Sequence, residues 1–190
     1  MRFSKSQQIN LRVMLTASFR LKIDAWVPDF EKVIGEQIAT IRRKLGVPII
    51  FHVEEYVFGD TPMTLVEKEH AYFSLLEHGL RFGVEYLIID LKYSPQGVRR
   101  LVKFSGQTKV IGQYLARETT IWRWDDEIRM DEYANAKALG CDMVRFVRAT
   151  SDPQDNNAVR IFMNKINTIP DHLPVRNPTF LNGEIFRHVG

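Results

Sequence analysis

The chain has 190 residues, and its 26 lysines and arginines exceed its 23 aspartates and glutamates by a formal net charge of only +3. So small an excess, with no basic stripe, argues against direct contact with nucleic acid. The apolar content of 45% suits a globular protein with a sizeable core, no apolar run approaches the ~20 residues of a membrane span, and a single cysteine, Cys141, excludes an intramolecular disulfide and points to a reducing compartment.

The start, MRFSKSQQINLRVML, has basic residues but only a broken apolar run, and reads poorly as a signal peptide. Ile9, Leu11, Val13 and Leu15 alternate, so 9–16 is a candidate strand. Residues 18–24 alternate in the same way. Pro28 and Asp29 then open a helix whose apolar stripe is Phe30, Val33, Ile34, Ile38, Ile41 and Leu45, ended by Gly46 and Pro48. Arg42, Arg43 and Lys44 read as its solvated C-terminus, where cations complement the helix dipole. The β-branched run 47–53 predicts a buried strand.

Thr64 and Glu67 form a capping box, so a helix starts there, with Phe73, Leu76 and Leu80 as its stripe and Gly83 as its stop. Residues 84–91 predict a strand. A short helix follows Pro95, with Val98, Leu101 and Val102 inward. Residues 108–114 predict the next strand. A helix near 126–139 carries Met130, Tyr133, Ala134 and Ala138, and 142–147 is a further strand. Asp152 and Pro153 open a helix with Val159, Phe162 and Ile166 inward.

Strand followed by helix five times over implies parallel crossovers and the α/β class, either a barrel or an open doubly wound sheet. No G-x-G-x-x-G follows the first strand, which weakens the dinucleotide-binding version. After Pro170 no sixth βα unit is evident, and Asn182-Gly183 between two apolar runs predicts a hairpin over 176–188. A complete barrel needs eight units and roughly 250 residues, so the expectation is one domain, 1–190, folded as an incomplete or truncated barrel.

In such folds function gathers at the carboxyl ends of strands. Those ends carry Lys22 and Asp24, His52 and Glu54, Asp90 and Lys92, Gln113 and Leu115, and Arg145 and Val147. Residues two apart share a face, so Lys22, Asp24, Glu54, Asp90 and Arg145 are the candidates to converge. They could pair with one another in a closed mouth, or line a ligand pocket. Cys141 reads as a small core residue and His52 as a satisfied core histidine. Trp122 and Trp124 belong to a loop that either folds down as a cap or anchors a partner. The five histidines form no zinc pattern, and neither metal nor cofactor is expected.

The strand motifs have a family likeness. Type I 3-dehydroquinases carry V-E-x-R-x-D, where this chain has Phe19-Arg20-Leu21-Lys22-Ile23-Asp24. They carry P-I-I-F-T-x-R, matched by Pro48-Ile49-Ile50-Phe51-His52-Val53-Glu54. Their D-Y-x-D-L-E-L is matched by Glu85-Tyr86-Leu87-Ile88-Ile89-Asp90-Leu91, and their G-A-D-I-V-K by Gly140-Cys141-Asp142-Met143-Val144-Arg145. A strand ending in S-x-H-D is matched by 108–116. Over residues 18–174 the chain thus resembles that family, and in particular the dehydroquinase-like region of the fungal quinate repressors.

The resemblance implies a barrel fold and a lyase reaction in which a lysine forms a Schiff base and a histidine moves protons. Arg145 stands at the lysine position and Leu115 at the histidine position. A guanidinium stays protonated and is a poor nucleophile, and leucine carries no proton. Glu54 stands where the family arginine binds the substrate carboxylate, which reverses the charge. Lys22 replaces an arginine and loses its bidentate fork. Arg20 stands in place of a glutamate, Asp90 substitutes for another, and Asp24 is kept.

The expectation that follows is a pseudoenzyme in the nucleus or cytoplasm. It would repress quinate utilisation by contacting a transcriptional activator, with a shikimate- or quinate-pathway metabolite as a further ligand. The alternative is an active or altered 3-dehydroquinate dehydratase-type lyase using Lys22. The unmatched ends, 1–17 and 175–190, point to a piece of a longer polypeptide or to a homo-oligomer that covers its own edges.

Overall fold

The computed structural model describes residues 10–15, 20–24, 30–53, 63–116, 123, 124, 127–150, 154–176 and 179–181. They divide into two compact units, Met1–Ile89 with Lys103–Lys109, and Asp90–Val102 with Val110–Gly190.

The first unit opens with two strands, β1 (Asn10–Leu15) and β2 (Arg20–Asp24), paired antiparallel. Helix α1 (Phe30–Leu45) leads to β3 (Ile49–His52), and α2 (Leu65–Arg81) to β4 (Tyr86–Asp90). β3 and β4 are parallel, as the βα pattern predicts. The first crossover departs from it. β1 pairs antiparallel with both β2 and β3, so it lies between them, and β2 does not neighbour the strand that follows its helix. Helical spacing sets the direction of a crossover. It leaves open whether another strand enters the gap.

Helix α2 begins at the capping box read from the sequence. The Glu67 N–H donates to Thr64 Oγ1 at 3.3 Å, and the Thr64 N–H donates to Glu67 Oε2 at 2.8 Å. Its inward face is Ala71, Tyr72, Leu75, Leu76 and Gly79. The stripe expected from hydrophobicity, Phe73, Leu76 and Leu80, is therefore rotated, with Phe73 and Leu80 only half-buried. The cause is close approach. A Cβ on Gly79 would lie 2.6 Å from Phe51 Cδ1 and 3.0 Å from Leu87 Cδ1, so the smallest side chain faces the sheet.

The basic end of α1 does more than meet solvent. Arg42 donates from Nη1 to the Phe82 carbonyl at 3.0 Å and from Nη2 to Gly83 O and to Glu85 Oε1. Glu85 Oε2 also accepts from the Ile49 N–H at 2.8 Å. Burial works against the Glu85 charge, but the Ile49 N–H and the Arg42 guanidinium hold its carboxyl below the usual range. One arginine so closes the carbonyl end of α2 and ties it to the start of β3.

The second unit contains all but the last residue of α3 (Pro95–Lys103), all but the first of β5 (Lys109–Ala116), and α4 (Ile128–Ala138), β6 (Met143–Thr150), α5 (Gln154–Asn167), β7 (Val175–Arg176) and β8 (Thr179–Leu181). β5 and β6 are parallel. β7 and β8 both pair parallel with β6, so a strand does follow the fifth helix, against the expectation that none would. At two and three residues these strands are too short to show periodicity. Residues 182–190, including the Asn182-Gly183 turn, lie outside the described residues.

One face of β5 and β6 is apolar. Phe146 stacks on Tyr114 and meets Phe162 and Trp124 edge-on. Trp124 is 1% exposed and packs on Phe146 and Phe162, while Trp122 and most of its loop lie outside the described residues. Gly112 is required on this face. A Cβ there would lie 2.7 Å from Leu91 Cδ1 and 2.9 Å from Cys141 Sγ.

The inward residues of α4 are Arg129, Tyr133 and Ala136. Of the expected stripe, only Tyr133 is buried, and Ala134 and Ala138 are exposed. Arg129 turns inward because Glu132, one turn on, meets its guanidinium at 2.9 Å and its stem packs as hydrocarbon.

Candidate functional site at the strand ends

Asp90 is the last residue of β4 and is 7% exposed. The next residue, Leu91, donates its N–H to the Gln113 carbonyl at 2.9 Å. In a parallel ladder that bond sets Asp90 beside Gln113. Gln113 is 4% exposed and pairs in register with Arg145 on β6. Strand alternation then puts Asp90, Gln113 and Arg145 in one row on one face, opposite the face that carries Phe146. Leu115 follows two residues after Gln113 on the same face, opposite Val147, and is 41% exposed.

Asp90 and Arg145 are two of the five sequence candidates, and the fold brings them within one row, but Arg145 is the third residue of the eight-residue β6 and not at its carboxyl end, because the strand runs on to Thr150. Lys22 and Asp24 are on β2 in the first unit, in register with Arg12 and Asn10 of β1. Arg12 is in turn in register with His52, which is buried on β3. Glu54 lies outside the described residues. Gln113 is not among the five converging candidates, because an amide has no charge to mark it in the sequence. Its place between a carboxyl and a guanidinium is a matter of register alone.

Lys92 joins Asp90 directly. Its N–H donates to Asp90 Oδ1 at 3.0 Å, and its ammonium stands 4.0 Å from Oδ2 and 5.1 Å above the Tyr93 ring. Burial pushes the Asp90 carboxyl above its usual range against the opposing pull of the Lys92 N–H and ammonium. Burial likewise holds Lys92 below the lysine range, against the attraction of Asp90. The row therefore combines an acid whose pKa burial raises, an amide and a fixed cation, a set suited to binding a polar ligand or to internal pairing.

The acid has a sign that can be measured. A carboxyl whose pKa is raised on folding favours the folded state below its ordinary value of 3.8, and that contribution is lost as pH rises through the raised value. Asp90→Asn is neutral throughout. Its melting temperature should approach that of the parent in acid and exceed it increasingly from about pH 4 to neutrality. A variant that melts below the parent at pH 7 would show that ion pairing, not burial, governs Asp90.

Cys141 is buried, and its thiol is pushed up to about 12 by burial first and by Asp142 second, so it is an inert core residue. Among the described residues no group of three or more His, Cys, Asp or Glu stands together to hold a metal. No described helix is long and apolar enough to cross a membrane.

Consecutive βα units with a polar row across β4, β5 and β6 define an α/β protein of the TIM-barrel-like type. The family model for type I 3-dehydroquinase matches residues 7–175, and the chain belongs to that family. It is 35% identical over 169 residues to the quinate repressor protein of Emericella nidulans, covering 88% of this chain and 18% of that protein. It is 30% identical over 129 residues to the pentafunctional AROM polypeptide of Malassezia globosa, covering 67% of this chain and 8% of that one. The chain thus spans less than a fifth of either relative. Among solved structures, 3-dehydroquinate dehydratase from Enterococcus faecalis superposes with a TM-score of 0.65 at 14% identity, over 83% of this chain and 65% of that one. The S. pombe AroM dehydratase–dehydrogenase gives 0.64 at 23% identity, over 77% and 27%. These likenesses show the fold.

Proposed function

We propose that this chain is a catalytically silent dehydroquinase-like domain that acts in transcriptional repression of quinate utilisation. It works by contact with a transcriptional activator, in the nucleus or cytoplasm, with a pathway metabolite as its signal. The observation that carries this reading is Arg145. It stands in the row with Gln113 and Asp90, where the family resemblance places the Schiff-base lysine, and a guanidinium does not form an imine. Leu115, on the same face, cannot supply the general acid and base. The name of the Emericella nidulans relative, quinate repressor protein, points the same way.

An altered lyase is the second reading, and one observation favours it. Lys92 is an amine beside Asp90 that burial holds below the lysine range. Sodium borohydride with 3-dehydroquinate separates the two. Intact mass should remain unchanged if the domain is silent. A reduced adduct on any lysine sinks that reading, and peptide mapping to Lys92 or Lys22 would establish the altered lyase.

A further inference from the structure

On the other side of β6 from Arg145, α4 and α5 enclose a cavity of about 340 Å³. Its floor is Trp124 and Phe162, which are 1% and 3% exposed. The Phe146 ring touches both, so the cavity sits on the packed aromatic cluster. Ile161 forms part of its rim and is 47% exposed, and the half-buried Met130 of α4 lines the other wall. Isolated exposed isoleucines are ordinary. An exposed isoleucine of α5 facing Met130 of α4 across a cavity floored by buried aromatics forms a docking geometry. The volume lies at the low end for ligand sites, ~300–1,000 Å³, and suits one large side chain.

The two walls differ in charge. α4 presents Glu127 and Asp131, one turn apart, and α5 presents Lys165, one turn after Ile161. A helix lying along such a groove has two flanks, one beside each wall. We propose that the α4–α5 groove docks an amphipathic helix of a partner protein, with a large apolar anchor, basic side chains along one flank and acidic side chains along the other. The proposal rests on the regulatory reading only in that a repressor domain needs a protein partner, since the groove is separate from the strand-end row.

The test uses the full chain and three synthetic helical peptides, each with one central tryptophan. One carries basic residues on one flank and acidic residues on the other, the second is acidic on both flanks, and the third basic on both. By fluorescence anisotropy the charge-segregated peptide should bind tightest, by about three- to fivefold over the others, as expected for exposed ion pairs. Lys165→Glu should shift the preference to the doubly basic peptide, because both walls are then acidic. Ile161→Glu should weaken the segregated peptide by at least about tenfold. Ile161 is half exposed, so this variant should melt within a few degrees of the parent. Equal binding of all three peptides, an Ile161→Glu variant that binds as well as the parent, or no binding at all overturns the proposal. Imine trapping is unaffected by any of these outcomes, so failure here and failure of the catalytic reading are read separately.

Discussion

Phe146→Ala should lower the free energy of unfolding by about 3–5 kcal/mol, a large share of the ~5–15 kcal/mol that holds a typical domain together. Phe146 is 0% exposed and is the centre of the aromatic cluster. Its ring lies 5.6 Å from Tyr114 at 14°, 5.3 Å from Phe162 at 88° and 6.1 Å from Trp124 at 75°. It joins β5, β6, α5 and the segment before α4. Removing it costs the transfer energy of the ring and leaves a cavity that three rigid neighbours cannot close. Equilibrium urea unfolding measures this through the midpoint, at constant slope. Phe146→Leu, which keeps most of the volume, should cost clearly less. An alanine variant within about 1 kcal/mol of the parent would mean that the core lies elsewhere.

The second large effect is a deficit that restoration does not cure. The double variant Arg145→Lys with Leu115→His should remain at least about 10³-fold below a type I dehydroquinase in kcat/KM, followed by absorbance of the conjugated product. It regains an amine on β6 and an imidazole on β5, on one face of the sheet. By the family resemblance, however, the substrate carboxylate would still meet Glu54 instead of an arginine. Buried or half-buried charge pairs are worth several kcal/mol when right and cost as much when reversed, and each ~1.4 kcal/mol is tenfold in rate. Adding Glu54→Arg to the pair should therefore raise kcat/KM by about 10²-fold or more. Turnover by the double variant within tenfold of a working dehydroquinase would show that Glu54 does not face the substrate.

Both effects contrast what nearby residues encode with what distant ones decide. The start of α2 was legible because the capping box is a hydrogen-bond exchange across three residues, Thr64 to Glu67. The helix stops were legible because Gly46 and Gly83 take positive φ of 60° and 62°, which a β-carbon disfavours. The ends of β4 and β5 are legible at Asp90 and Leu115 because helices and strands alternate with distinct periods, whereas β6 runs past the expected Val147 to Thr150 and leaves Arg145 near its start.

Pairing and facing were decided by the fold. β1 lies between β2 and β3, and β7 extends the pairing of β6, through backbone bonds between residues far apart in sequence. Hydrophobicity marked Phe73 and Leu80 of α2, yet Ala71 and Gly79 turn inward because the helix lies too close to Phe51 and Leu87 for anything larger. Arg129 turns inward because Glu132 neutralises it. The strand-end row follows the same rule. The sequence by itself determined that Arg145 is no nucleophile and Leu115 no proton carrier, because those are properties of single side chains. Only the tertiary structure decided that Gln113 stands between Arg145 and Asp90, and that burial raises the pKa of Asp90, because register and burial depend on which strands lie side by side.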